Sequence, residues 1–261
     1  MPRRLHPFLA AALAALAGGC HYYYMVKAEL MQTNEMFVQP FINRSVMAWN
    51  VNAALGMDGR RDVGRVAEAV KCADADVVAL REIDRRTKRV GGADQLEELE
   101  KLTGLQSVWC RTGDRDDGEV GMAFLVKDEP AKTARVDLPG GGKAVVLEYP
   151  AFNVCMARFP DKEKDCEESV AKLAGLVAAQ RPFFLVCGWD EEPSAALMQR
   201  LRRSFAVLSG FQPTYPADEP ETCLDLIAIS RRHQARYEHV KHSVLDEPAA
   251  SDHRPVLVSA R

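Results

Sequence analysis

From position 45 onwards, short apolar runs that stop abruptly at polar residues alternate with stretches whose apolar positions return every three or four residues. The run 46–49 stops at Asn50, and the run 77–80 stops at Arg81-Glu82. Between them Asp62 is placed to cap a helix that carries Val63, Val66, Ala67 and Val70 on one face. Two apolar runs joined by an amphipathic helix predict a β-α-β unit. Its strands are parallel and finish on the same edge of the sheet, so Asn50 and Glu82 are expected side by side.

The pattern continues with leucines at 96, 99 and 102 between Asp94 and Gly104, which predicts a second helix. A short strand is expected at 107–110, a charged turn at 113–118 and a strand at 123–126, followed by a glycine loop at 140–142 and a strand at 144–147. The second half repeats the opening logic: a strand at 152–159, a helix at 167–180 and a buried strand at 182–187 that ends at Gly188-Trp189-Asp190. Ser194 is placed to cap a helix running to Arg203, and the last strands fall at 224–229 and 255–258. No linker or low-complexity tract divides positions 45–261, which are expected to form one domain.

A chain of 261 residues with 47% apolar content is long enough for one large α/β core. A net charge of -3 argues against an electrostatic grip on nucleic acid as the main activity. Pairs such as Arg85-Arg86 and Arg202-Arg203 read as solvated faces. The first residues carry a different message. Arg3 and Arg4 precede an apolar stretch at 7–17 that is too short to span a bilayer. It closes on Leu16-Ala17-Gly18-Gly19-Cys20, which resembles the lipobox of bacterial lipoproteins. The resemblance implies a signal peptide over 1–19, lipidation of Cys20, a tether over 20–44 and a location in the cell envelope, outside the cytoplasm. The other six cysteines form no pair motif and no Cys/His array, so a zinc site is not expected, and Cys155 and Cys187 read as buried thiols.

The candidate chemistry lies at the strand ends: Asn50, Glu82, Asp190, Asp225, Asp252 and His253. Asn50 and Glu82 are hard oxygen donors that suit Mg2+ or Mn2+. Asp225 interrupts the apolar run 224–227, where a carboxylate is costly without a partner. A histidine beside such a carboxylate gains a fixed tautomer and a raised pKa, which suits it to face an oxyanion.

Four motifs, Trp49-Asn50, Val78-Ala79-Leu80-Arg81-Glu82, Leu224-Asp225-Leu226-Ile227 and Ser251-Asp252-His253, resemble those of the endonuclease/exonuclease/phosphatase (DNase I-like) superfamily. Asp58-Gly59-Arg60, Asp84-Arg85-Arg86-Thr87 and Asp94-Gln95 add a likeness to its bacterial branch. The resemblance implies a four-layer α/β sandwich with two stacked mixed sheets flanked by helices, and hydrolysis of phosphoesters by an activated water at a divalent metal. It makes Glu82 the principal ligand of Mg2+ (or Mn2+), with Asn50 assisting and Asp252 orienting the ion or its water. His253, paired with Asp225, is implied to stabilise charge on the phosphate.

The departures from the family pattern are specific. Where the family carries Gly-Asp-Phe-Asn, this chain has Cys187-Gly188-Trp189-Asp190, so Asp190 serves the water only through a one-residue slip. Thr-His is replaced by Ala157-Arg158, Gly-Asn-Ala by Gly121-Met122-Ala123, and the Gln before the catalytic Glu by Arg81. Arg81 and Arg158 are expected to bind phosphate instead. Two readings stand: a membrane-anchored phosphoesterase of reduced activity, acting as a monomer, and a pseudoenzyme that holds a phosphorylated or anionic ligand without hydrolysis. A third is an envelope protein with a purely structural role.

Overall fold

The computed structural model describes residues 44–178, 181–237 and 240–259. Cys20, the signal peptide and nearly all of the tether therefore lie outside the described residues.

The opening β-α-β unit forms as its pattern predicts. Strand β1 (Ser45–Asn50) and strand β2 (Val77–Arg85) run parallel, with Asn50 opposite Arg81. Helix α1 (Val63–Ala73) joins them. Asp62 starts it by accepting hydrogen bonds from the Gly64 and Arg65 amides, and left-handed Asp74 ends it. Helix α2 (Gln95–Thr103) follows, capped by Asp94 and closed by left-handed Gly104. Strands β3 (Gln106–Arg115) and β4 (Gly118–Val126) make a long hairpin. The expected charged turn at 113–118 shrinks to Asp116-Asp117, both at positive φ as a tight two-residue hairpin requires. The strand expected at 107–110 is correspondingly longer.

The second half forms the other sheet. Strands β5 (Lys132–Asp137), β6 (Lys143–Glu148) and β7 (Asn153–Arg158) precede helix α3 (Glu163–Gly175) and strand β8 (Phe183–Gly188), which is parallel to β7. Helix α4 (Ala195–Ser204), capped by Ser194, leads into β9 (Phe205–Val207) and β10 (Asp225–Ser230). Strands β11 (Lys241–Val244) and β12 (Val256–Ser259) return to the first sheet. The sheet orders are β11-β12-β1-β2-β4-β3 and β5-β6-β7-β8-β10-β9. Helix α3 begins four residues earlier than its apolar spacing suggests. No side chain caps it, and Glu163 and Asp165 complement its positive end instead.

Burial alternates along each central strand as a four-layer stack demands. Val46, Ala48, Val77 and Ala79 from one sheet meet Val154, Met156, Val186, Ile227 and Ile229 from the other. Met47, Trp49, Val78 and Leu80 face outward onto α1 and α2, while Cys155, Leu185, Cys187 and Leu226 pack under α3 and α4. Both faces of these strands are covered, which is why their sequence reads as unbroken apolar runs. The two parallel pairs end at the same rim, delivering Asn50 and Arg81 from one sheet and Arg158 and Gly188 from the other. Among the described residues no helix is long and apolar enough to cross a membrane.

Candidate functional site

Asn50, the last residue of β1, is 3% exposed and uses its amide as a hinge between two functional groups. Its Nδ2 donates to Glu82 Oε1 at 2.8 Å and faces His253 Nε2 at 3.4 Å. Glu82 sits on a bulge of β2, between Leu80 and Ile83, with φ at 56°. A left-handed conformation at a residue with a Cβ costs on the order of 1 kcal/mol. The surroundings hold it there through the loop that follows. Asp84 accepts from Thr87 Oγ1 at 2.5 Å and takes a fork of two bonds from Arg89. Gln95 Oε1 accepts the Asp84 amide, and its Nε2 donates to Ala53 O. Arg85 grips Asp94. The Asp84-to-Thr87 and Asp94-Gln95 motifs thus brace both the Glu82 bulge and the left-handed turn at Asn52, Ala53 and Ala54.

From the second sheet, Asp225 enters at the start of β10, 3% exposed. Its Oδ2 lies 2.8 Å from His253 Nδ1 and accepts from Thr214 Oγ1 at 3.0 Å. Burial opposes its charge, but His253, Arg81 and Thr214 outweigh burial and hold the carboxyl below its ordinary value. Burial likewise opposes charge on His253, yet Asp225 and Asp252 push the imidazole pKa up. With Nδ1–H donated to Asp225, the ring presents Nε2 to the rim, 3.4 Å from the Asn50 amide nitrogen. The backbone around the ring is also fixed. Trp49 Nε1 donates to His253 O at 2.7 Å, and Ser251 Oγ bridges from Asn50 O to the His253 amide. Tyr215 packs against the imidazole with 4.9 Å between ring centroids.

Asn50, Glu82, Asp225 and His253 are therefore one connected group drawn from both sheets. Two members of the expected site make further bonds. The Asn50 amide oxygen accepts from the Asn52 amide at 3.1 Å, and its NH2 group steadies Glu82. Asp252 accepts from Asn52 Nδ2 at 2.9 Å, while Ser251 Oγ, whose proton goes to Asn50 O, lies 3.3 Å from its other oxygen. It braces the His253 loop and adds negative charge beside the ring. Among the described residues no three His, Cys, Asp or Glu side chains are grouped as a closed cage. Glu82 with one oxygen uncommitted fits Mg2+, which keeps several waters and is often held by a single carboxylate and the substrate's phosphate.

Arg81 occupies the space that a side chain at 188 would fill. A Cβ on Gly188 would lie 2.8 Å from both the Arg81 guanidinium and Asp225 Oδ1. Arg81 is 5% exposed, its Nε has no hydrogen-bond partner among the described residues, and its Nη2 reaches Asp190 Oδ1 only at 3.5 Å. Asp190 itself lies at the mouth, its side chain 68% exposed. Arg158 is half-buried at the end of β7. Arg81, Arg158 and Asp190 line two adjoining cavities, one of about 260 Å³ that includes Glu82 and one of about 640 Å³ over α3 and α4. Met122, where the family pattern has Asn, is buried and forms apolar floor in the smaller cavity. Thr214 and Tyr215 escape sequence reasoning because they lie in a loop without periodicity; only the proximity of Asp225, which needed a donor, hints at the first.

No protein-family model matches this sequence, and no curated protein matches it. Solved structures do. An endonuclease/exonuclease/phosphatase from Beutenbergia cavernae is 19% identical with a TM-score of 0.63, over 82% of this chain and 70% of its own. A family protein from Leptotrichia buccalis is 12% identical with a TM-score of 0.66, over 83% of this chain and 98% of its own. A mannosyl-6-phosphatase from Bacteroides thetaiotaomicron is 16% identical with a TM-score of 0.62, over 83% and 98%. At such identities the agreement lies in the path of the backbone, and it gives this chain the DNase I-like fold of the endonuclease/exonuclease/phosphatase proteins.

Proposed function

We propose that the chain hydrolyses phosphoesters with the help of Mg2+ (or Mn2+) held at Glu82. The observation that carries this reading is the Asn50 amide, which ties the Glu82 carboxylate to the His253–Asp225 pair across the two sheets. Bound at Glu82, the ion supplies a Lewis acid for the phosphoryl oxygens and lowers the pKa of water. The chain's own groups supply the rest. Arg81 and Arg158 hold phosphoryl oxygens by paired N–H donors. Imidazolium His253 turns its Nε2–H to the oxygen on which charge grows, and Asp225 keeps that proton on the ring. Asp190, at the mouth and bound only loosely to Arg81, accepts the proton of the attacking water.

The test is hydrolysis of 4-nitrophenyl phosphate, bis(4-nitrophenyl) phosphate and mannose 6-phosphate (the last suggested by the Bacteroides structure) with and without Mg2+. Glu82→Ala is expected to abolish turnover and any stabilisation by Mg2+. Hydrolysis unaffected by Glu82→Ala sinks the mechanism. A second reading, binding without turnover, is favoured by Arg81, which fills the place where the family pattern puts an acid. Under it phosphate raises the melting temperature, and no product forms even in a single turnover. We propose further that lipidated Cys20 holds this domain at a membrane of the cell envelope.

A further inference from the structure

The smaller cavity holds more positive charge than one phosphate calls for. It is lined by Arg81, Arg89, Arg115 and Arg158, against the carboxylates of Glu82 and Asp190. Arg89 is neutralised by its fork onto buried Asp84. The guanidinium groups of Arg115 and Arg158 make no hydrogen bond or ion pair among the described residues, both residues being held only through their strand backbones. Arg81 is nineteen-twentieths buried, with Nε unpartnered and only the loose contact to Asp190. A buried guanidinium without a full set of acceptors is costly, and an anion in the cavity would complete it.

Position divides these arginines into two groups. Arg81, where the β1–β2 pairing ends, and Arg158, the last residue of β7, stand beside Gly188 and Asp225, where the scissile phosphate is placed by the reading above. Arg115 comes from the far side, at the tip of the β3–β4 hairpin, across Thr112 and Val120. The volume of about 260 Å³ is several times the ~30 Å³ share of one water. We propose that the Arg115 side of this cavity is a second anion subsite, and that the substrates are phosphoesters carrying a second phosphate. This rests on the phosphoesterase reading for what happens at Glu82, but not for the binding itself. Neutral extensions of a substrate would leave Arg115 without a partner, whereas a second phosphate gains a fork of charge-assisted bonds.

The experiment is a calorimetric titration of the full-length chain, in EDTA and at physiological ionic strength, with pyrophosphate and with inorganic phosphate as probes. Pyrophosphate is expected to bind at least fivefold more tightly than phosphate. Arg115→Gln should lose that preference while binding phosphate within twofold of the unaltered chain, and Arg115→Lys should retain part of it. Arg115 is exposed, so both variants are expected to fold, which thermal unfolding verifies. A preference below fivefold, or one that survives Arg115→Gln, overturns the proposal. Because no hydrolysis is read, a failed phosphoesterase assay leaves this result standing. A failed titration equally leaves the Glu82 assay untouched.

Discussion

Arg81 brings a full charge into a space almost closed to solvent, and only the absence of a side chain at 188 allows it. Gly188 therefore matters for volume as well as for chemistry. Gly188→Ala sets a methyl group 2.8 Å from the guanidinium and from Asp225 Oδ1. Overpacking of this kind costs about 2 kcal/mol. Shortening the arginine by Arg81→Gln should relieve the contact, so the two changes together are expected to be less damaging than their sum by about 1 kcal/mol. Urea unfolding of the two single variants and the double variant measures this coupling. Strict additivity would show that the guanidinium does not occupy the slot.

Among the elements, the turn from β2 into α2 does the most to place Glu82. Its centre is Asp84, fully buried and tied to Thr87 and Arg89. Burial alone would raise its pKa, but the Arg89 fork and Thr87 outweigh burial and hold the carboxyl below its ordinary value. A folded-state pKa below the unfolded value of about 3.9 gives stability that is present above that value and lost as the pH falls through the folded one. Asp84→Asn leaves Arg89 with a weaker partner and is expected to cost about 3 kcal/mol at neutral pH. The variant should also lose the part of the acid-induced fall in stability that the unaltered chain owes to this group. Melting temperatures followed from neutral pH down to about pH 3 are the check, and parallel curves for the two proteins contradict it. The brace was legible in sequence only as a motif. Its purpose was not, because Gln95 and Ala53 meet through the tertiary fold. Helix starts marked by a side-chain cap, at Asp62, Asp94 and Ser194, were readable; that of α3, which lacks one, was not. Edge strands β5 and β11 also escaped notice, since polar sequences such as Lys132–Asp137 pair on one side only and need no apolar face.

For the molecule as a whole, the sequence foretold two halves converging on one rim, because each half contains apolar runs that stop at polar residues. What it could not foretell was occupancy of the shared space. Pairing of Asp225 with His253 follows from a buried carboxylate needing a donor, whereas Arg81 lying over Gly188 depends on how the sheets stack. Beyond the sandwich, attachment to the envelope is expected to depend on one thiol. Cys20→Ser should move the protein from the membrane fraction to the soluble fraction of lysed cells while its domain unfolds at an unchanged temperature. Retention in membranes by that variant rules out the lipid anchor.

The fit between Arg81 and Gly188 makes the two positions a single design unit. A carboxylate side chain placed at 188 would have to share the space the guanidinium fills, and removing the arginine alone would take the buried cation from the rim. Neither position can be exchanged by itself without cost, so any redesign of this mouth has to change the pair together.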